Sequence, residues 1–128
     1  MSYQIIKTRD GENWIKLTGK LNVSEFQDLQ DLGRLSLERF GQVRILFELE
    51  DFQGWSKEPG WADSFFLEEN SDSVSRLAFV GDETWRDEIF MFTGKPMRKI
   101  PIEFFHKDQL AQAKAWLSEE NPQSIFLD

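Results

Sequence analysis

Apolar and polar positions along this chain follow two periods, and the switches between them mark its elements. Tyr3 to Thr8 and Asn13 to Leu17 are short runs rich in Ile, Tyr, Trp and Thr, joined across Arg9-Asp10-Gly11-Glu12. Asp-Gly is a strong hairpin signal because glycine accepts the positive φ that a tight turn requires, so the chain opens with an antiparallel pair. The period then becomes helical: Phe26, Leu29, Leu32, Leu35, Leu37 and Phe40 recur at mixed helical intervals, with Leu29, Leu32 and Phe40 sharing much of one face. Ser24 and Gln27 have capping-box spacing at the start of this run, and Gly41 stands at its end, where a left-handed cap residue is wanted.

Val43 to Leu49 returns to period two, with Val43, Ile45, Phe47 and Leu49 on one face and Leu46 on the other, as expected of a central strand covered on both sides. Pro59 suits a first helical turn, and Trp61, Ala62, Phe65 and Phe66 follow as two i,i+4 stripes before a polar ending at Glu68-Glu69-Asn70-Ser71. Leu77 to Val80 is a short buried strand stopped by Gly81-Asp82. Thr84 with Asp87 repeats the capping-box spacing and opens a helix through about Phe92, which Gly94 and Pro96 terminate. Ile102 to Phe105 reads as an edge strand, since Pro101 and Glu103 fit a position where a missing donor and an outward charge are tolerated. Asp108 caps a last helix with Leu110, Ala113, Trp116 and Leu117 on its buried face, ended by Asn121-Pro122.

The order β-β-α-β-α-β-α-β-α demands parallel crossovers between successive strands. It predicts an α/β fold with a single mixed sheet, an N-terminal antiparallel hairpin followed by parallel βα units with packed helices, forming one domain over residues 1–128.

Composition narrows the function classes. The 128 residues are 40% hydrophobic and 30% charged, enough to build a core and to exclude disorder. There is no cysteine, hence no disulfide and no thiolate chemistry, and a reducing cytosol fits best. Met1-Ser2-Tyr3-Gln4 lacks the layout of an export signal and no apolar run approaches a membrane span, so the expectation is a soluble cytoplasmic protein. A net charge of −8 repels nucleic-acid phosphates. Nearly all of it lies between Glu48 and Asp72, where eight acids face Lys57 alone, whereas Arg86 to Lys107 carries a slight positive excess. These opposite fields either solvate two faces or orient a partner, a second copy or an anionic ligand.

Familiar catalytic and metal patterns are missing. His106 is the sole histidine, which excludes His-pair metal motifs, and neither metal nor cofactor is expected. Ser56 in Gly54-Trp55-Ser56-Lys57 has no nucleophile elbow, and neither Gly19-Lys20 nor Gly94-Lys95 sits in a phosphate-cradling loop. Asp51, Asp63 and Asp82 lie near predicted strand ends, although a turn between strand and helix accounts for Asp82. A small enzyme using His106 with a carboxylate is the residual catalytic alternative.

Aromatic content is the unusual feature, with twelve Phe and five Trp. Ile89-Phe90-Met91-Phe92 places four apolar residues in succession on a helix, and at about 100° per residue they cannot all face one sheet. Trp55, Trp61, Phe65 and Phe66 pose the same question. Either a generous core and a flap from the 51–60 loop absorb them, or they form a homodimer face or an apolar ligand groove. The candidate binding set is Trp55, Trp61, Phe65, Trp85, Ile89 and Phe92.

Several short motifs complete the picture: Asp51-Phe52-Gln53-Gly54-Trp55 after the central strand, Trp61-Ala62-Asp63, Ala78-Phe79-Val80-Gly81-Asp82 with Trp85, and Phe105 with Ala113, Trp116 and Leu117. In these, and across essentially its whole length, the chain resembles the SpoIIAA-like proteins, relatives of STAS domains that are also grouped with CRAL-TRIO lipid-binding folds. The resemblance implies a mixed sheet with helices, a small cytoplasmic protein and no known reaction. STAS relatives that antagonise anti-sigma factors are phosphorylated on a serine of an Asp-Ser-Ser-Gly segment. The nearest counterpart here, Asp63-Ser64-Phe65-Phe66, departs from that pattern and leaves Ser64 as the candidate for a phosphorylation switch. The CRAL-TRIO grouping implies a lipid or another apolar ligand. The expectation is therefore a non-enzymatic, homodimeric binding domain for an apolar small molecule, lipid or protein partner, with a phosphorylated regulator as the alternative.

Overall fold

The computed structural model describes residues 3–59, 74–93 and 101–119. Strands β1 (Tyr3–Arg9), β2 (Glu12–Leu21), β3 (Val43–Trp55), β4 (Val74–Gly81) and β5 (Ile102–His106) form one sheet in the order β1-β2-β3-β4-β5. β1 and β2 run antiparallel and every other neighbouring pair is parallel, as the order of elements demands, with β3 in the centre and β5 at an edge. Helix α1 (Val23–Phe40) connects β2 to β3. Helix α2 (Arg86–Thr93), entered through a 3₁₀ turn at Glu83–Trp85, lies between β4 and β5. Helix α3 (Leu110–Ser118) follows a 3₁₀ turn at Lys107–Gln109. The helix expected after Pro59, with Trp61, Ser64, Phe65 and Phe66, and the stop signals Gly94-Pro96 and Asn121-Pro122 lie outside the described residues.

Each parallel crossover steps one strand further in the same direction, so the right-handed rule places the connecting helices on one side. Accordingly Phe26 and Leu29 of α1 and Ile89 of α2 join Ile15, Leu17, Ile45, Leu77 and Phe79 in one core cluster. α3 follows the last strand, has no crossover to complete, and covers the opposite face, where Ala113 and Leu117 pack on Leu46, Ala78 and Val80. Leu46 thus supplies the second buried face read from the alternation of β3.

Local chemistry corrects several element boundaries. Asp10 and Gly11 both have positive φ, 53° and 89°, the two-residue turn that Asp-Gly announces. Gly11 is also required because a Cβ there would meet the Gln42 carbonyl oxygen at 2.8 Å. α1 starts two residues before the Ser24 cap position: Asn22 Oδ1 accepts from the Glu25 amide at 2.8 Å, and the Glu25 carboxylate accepts from the Asn22 amide at 3.4 Å. Phe40, expected on the buried face, is 44% exposed, while Gly41 takes the left-handed cap at φ 70°. Asp82, and not Thr84, caps the next turn by accepting from the Thr84 amide at 3.0 Å. At the start of the 3₁₀ turn that leads into α3 the capping acceptor is His106 Nδ1, which receives the Asp108 amide at 3.3 Å, while Gln109 Oε1 accepts the His106 amide at 2.9 Å.

The largest correction concerns residues 51–55, expected as a loop. β3 continues through them alongside β2, with Gly19 opposite Phe52, Lys20 opposite Gly54 and Leu21 opposite Trp55. Two register shifts interrupt the pairing, and Asp51 and Gly54 have φ of 52° and 96°. Each extra residue breaks the alternation by one, which hides the strand from a period-two reading and re-aims the side chains beyond it.

Candidate functional site

The bulged end of β3 builds the wall of an apolar cleft. Because of the extra residue at Asp51, Phe52 lies three positions after Leu49 yet on the same face, and the second shift does the same for Trp55. Leu49 and Phe52 are buried and Trp55 is half-buried. Gly54 is essential to this corner: with φ 96° it suits glycine, and the Trp85 ring lies 3.3 Å from where a Cβ would stand. α1 contributes Phe26 and Leu29. α2 contributes Ile89 and Phe92, three residues apart on one face.

The rings form a continuous series. Phe26 meets Phe92 edge-on at 5.5 Å between centroids, and Phe92 lies 4.7 Å from Trp55 at 33°. Trp55 meets Phe52 at 5.5 Å and 87°, and Phe52 meets Trp85 at 4.9 Å and 66°. Deeper in, Phe47 stacks on Phe79 at 5.2 Å. Such offset and edge-on pairs each add roughly 0.5–1.5 kcal/mol beyond area burial, so the wall is preorganised.

Between this wall and the sheet is a narrow apolar cleft, open to solvent at its mouth, with about 70 Å³ of free space inside. Among the described residues its lining contains no titratable side chain, and Gln30 and Thr93 are its polar members. The Thr93 hydroxyl donates to the Ile89 carbonyl at 2.9 Å, so it is satisfied within α2. Such a surface excludes water and offers no acid or base.

A second cavity, about 270 Å³, opens at the carboxyl ends of β3, β4 and β5 and is lined by Leu49, Asp51, Phe52, Asp82, Thr84, Trp85 and Lys107. The two cavities meet at Phe52, which lines both. The Thr84 amide and hydroxyl hold the Asp82 carboxyl below its ordinary range, with Lys107 and His106 adding electrostatic support.

Of the residues singled out from sequence, Trp55, Ile89 and Phe92 line the cleft, and Trp85 backs the wall from the basin side. Trp61, Phe65 and Ser64 fall outside the described residues. Phe26, Phe52 and Phe47 were missed. For Phe52 a signal was present in the three-residue spacing of Leu49, Phe52 and Trp55 beside Gly54. The crowded run on α2 divides four ways: Ile89 is buried, Phe92 enters the cleft, Phe90 packs edge-on against Phe104 at 6.5 Å, and Met91 is 81% exposed. His106 ends its strand as expected but lines neither cavity; its Nδ1 lies 3.4 Å from Asp108 Oδ2 at the head of α3. No group of three or more His, Cys, Asp or Glu that could hold a metal occurs among the described residues.

Fold and cleft together define a SpoIIAA-like α/β domain. The SpoIIAA-like family profile matches residues 13–118, from the buried Asn13 of β2 to the last residue of α3, and the chain belongs to that family. Among solved structures, it is similar to an uncharacterized protein of the DUF3478 family with a SpoIIAA-like fold from Shewanella loihica PV-4. That likeness has 18% identity and a TM-score of 0.65, and covers 90% of this chain and 91% of the other. At that identity it establishes the shared fold. No curated protein matches. No helix among the described residues is long and apolar enough to cross a membrane.

Proposed function

We propose that this chain is a non-enzymatic binding domain whose aromatic cleft holds the apolar part of a ligand. The carrying observation is the cleft itself: an open apolar slot walled by Phe26, Phe52, Trp55 and Phe92, without a titratable group among its described lining residues. A ligand there gains by transferring hydrocarbon from water at about 25 cal/mol per Å² and loses no hydrogen bond. Absence of an acid, base or nucleophile in that lining supports binding rather than turnover. The sheet adds a reason for the location. Its strand order contains no reversal, so there is no topological switch point of the kind that receives cofactors in doubly wound folds, and the apolar space lies on a face of the sheet. Pairing of two copies belongs to the same proposal, supported by Ile5 and Ile6, which are 46% and 48% exposed on the edge strand β1.

Native mass spectrometry of solvent-extracted protein titrated with dodecanol, a chain with an uncharged head, tests the reading and reports the number of subunits. One dodecanol per chain is expected, with affinity reduced about tenfold in Phe92→Ala and Trp55→Ala, the loss typical of truncating an aromatic contact. Absence of any saturable adduct with wild type would overturn it. A regulator switched at Ser64 would instead show phosphate incorporation in host extract that Ser64→Ala abolishes.

A further inference from the structure

The junction of the two cavities at Phe52 narrows the chemistry of the ligand, an inference that rests on the binding function proposed for the cleft. Aromatic rings make the whole partition: Phe52 faces both spaces, Trp55 lines the apolar cleft and Trp85 the polar basin, and the three are packed on one another at 4.9 to 6.1 Å. On the basin side the charges are unequally engaged. Asp82 is committed to the Thr84 amide and hydroxyl. Asp51 and Lys107 line the same basin, and neither has an ion pair or side-chain hydrogen bond among the described residues.

Asp51 and Lys107 face one space without pairing with each other, Lys107 acting on Asp82 only at a distance, and a basin that presents both signs of charge is complementary to a group carrying both charges. A carboxylate head alone would meet Lys107 but also Asp51 and Asp82. An ammonium head alone would satisfy Asp51 and face Lys107. A zwitterion answers both residues, and its cationic part can also lie against the Trp85 ring. We propose that the ligand is a zwitterionic amphiphile, its chain in the aromatic cleft and its head across Phe52 in the Asp51–Lys107 basin.

Binding of three twelve-carbon probes below their micelle concentrations separates this inference from the one beneath it. Dodecylphosphocholine carries both charges, dodecanoate one negative and dodecylamine one positive. Isothermal titration of wild type is expected to favour dodecylphosphocholine about tenfold over either singly charged probe, the scale of one additional charge-assisted contact. Asp51→Asn combined with Lys107→Gln is expected to bring the three affinities within about twofold of each other. The double variant should fold, since asparagine tolerates the positive φ at position 51 and Lys107 is exposed, and matched thermal unfolding checks it. Equal binding of all three probes by wild type, or preference for a singly charged one, overturns the zwitterion and leaves the apolar cleft standing. A preference that survives the double variant places the head elsewhere and also overturns it. No binding of any probe overturns both readings.

Discussion

Alternate residues of the same strands supply two faces that are finished in opposite ways. On one face α1 and α2 meet the sheet through large rings, and the geometry of those rings leaves a cleft. On the other, the centre of the α3 layer is small and aliphatic, with Ala78, Ala113 and Leu117 fully buried, and the rings of Trp14, Phe105 and Trp116 are partly buried against it. The second face is closed by charge as well. Arg44 and Arg76 are direct neighbours across β3 and β4, a like-charged pairing that is unfavourable by itself. Both guanidinium groups run to the carboxyl end of α3: Arg44 donates to the carbonyls of Leu117, at 2.6 Å, and Glu119, and Arg76 donates to the Trp116 carbonyl and to Glu119 Oε2 at 2.9 Å. The helix end offers unpaired carbonyls and partial negative charge, so two cations are accommodated where one strand pair alone would repel them. Arg76 also lies over the Trp116 ring at 4.8 Å. Small residues and a fixed helix end make a sealed layer, whereas rings locked edge-to-face make a wall with space behind it.

The contrast can be broken from either side. Leu117→Ala empties a fully enclosed site and should lower unfolding free energy by about 3 kcal/mol in urea titration. Phe92→Ala removes a larger side chain from a half-buried position bordering open space and should cost only about 1–2 kcal/mol. Equal losses would show that the faces are packed alike. Arg76→Ala uncaps α3 and leaves Arg44 alone at its end, an expected loss of about 2 kcal/mol by the same titration. Asn22→Ala, which removes the cap of α1 without touching either layer, should cost about 1 kcal/mol. The smallest effect concerns pH. Folding depresses the Asp82 pKa, chiefly through the Thr84 amide and hydroxyl, so its stabilisation is complete above the unfolded carboxylate value, roughly pH 4, and is lost as pH falls through the lower folded value. The stability difference between wild type and Asp82→Ala should therefore be constant near neutrality and vanish in strong acid. A difference unchanged by acidification would remove the carboxylate from the account.

The order of the described elements, the central place of β3, its two-faced burial and the edge position of β5 were legible because periodicity and turn chemistry act locally. Caps were read two residues late, since Ser24, Thr84 and Asp108 are as suitable chemically as the residues that perform the task. Asn22, Asp82 and His106 prevail because the preceding strand ends beside them. The candidate site was half legible. Trp55, Trp85, Ile89 and Phe92 stood out as surplus rings, but Phe52 did not, because two register shifts in β3 concealed a strand behind an apparent loop. Of the basin, Asp51 and Asp82 were placed near strand ends but Lys107 was not joined to them, since Asp51 and Lys107 are more than fifty residues apart in sequence and come together only through strand order.

Methyl-resolved NMR during a dodecanol titration tests the central claim most directly, because both faces are reported in one spectrum. The account predicts saturable shifts and ligand contacts at Leu17, Leu29, Ile45, Leu77 and Ile89, with Leu46, Val80, Ala113 and Leu117 unmoved. Shifts centred on the α3 face, or none on the aromatic face at saturating dodecanol, would contradict it.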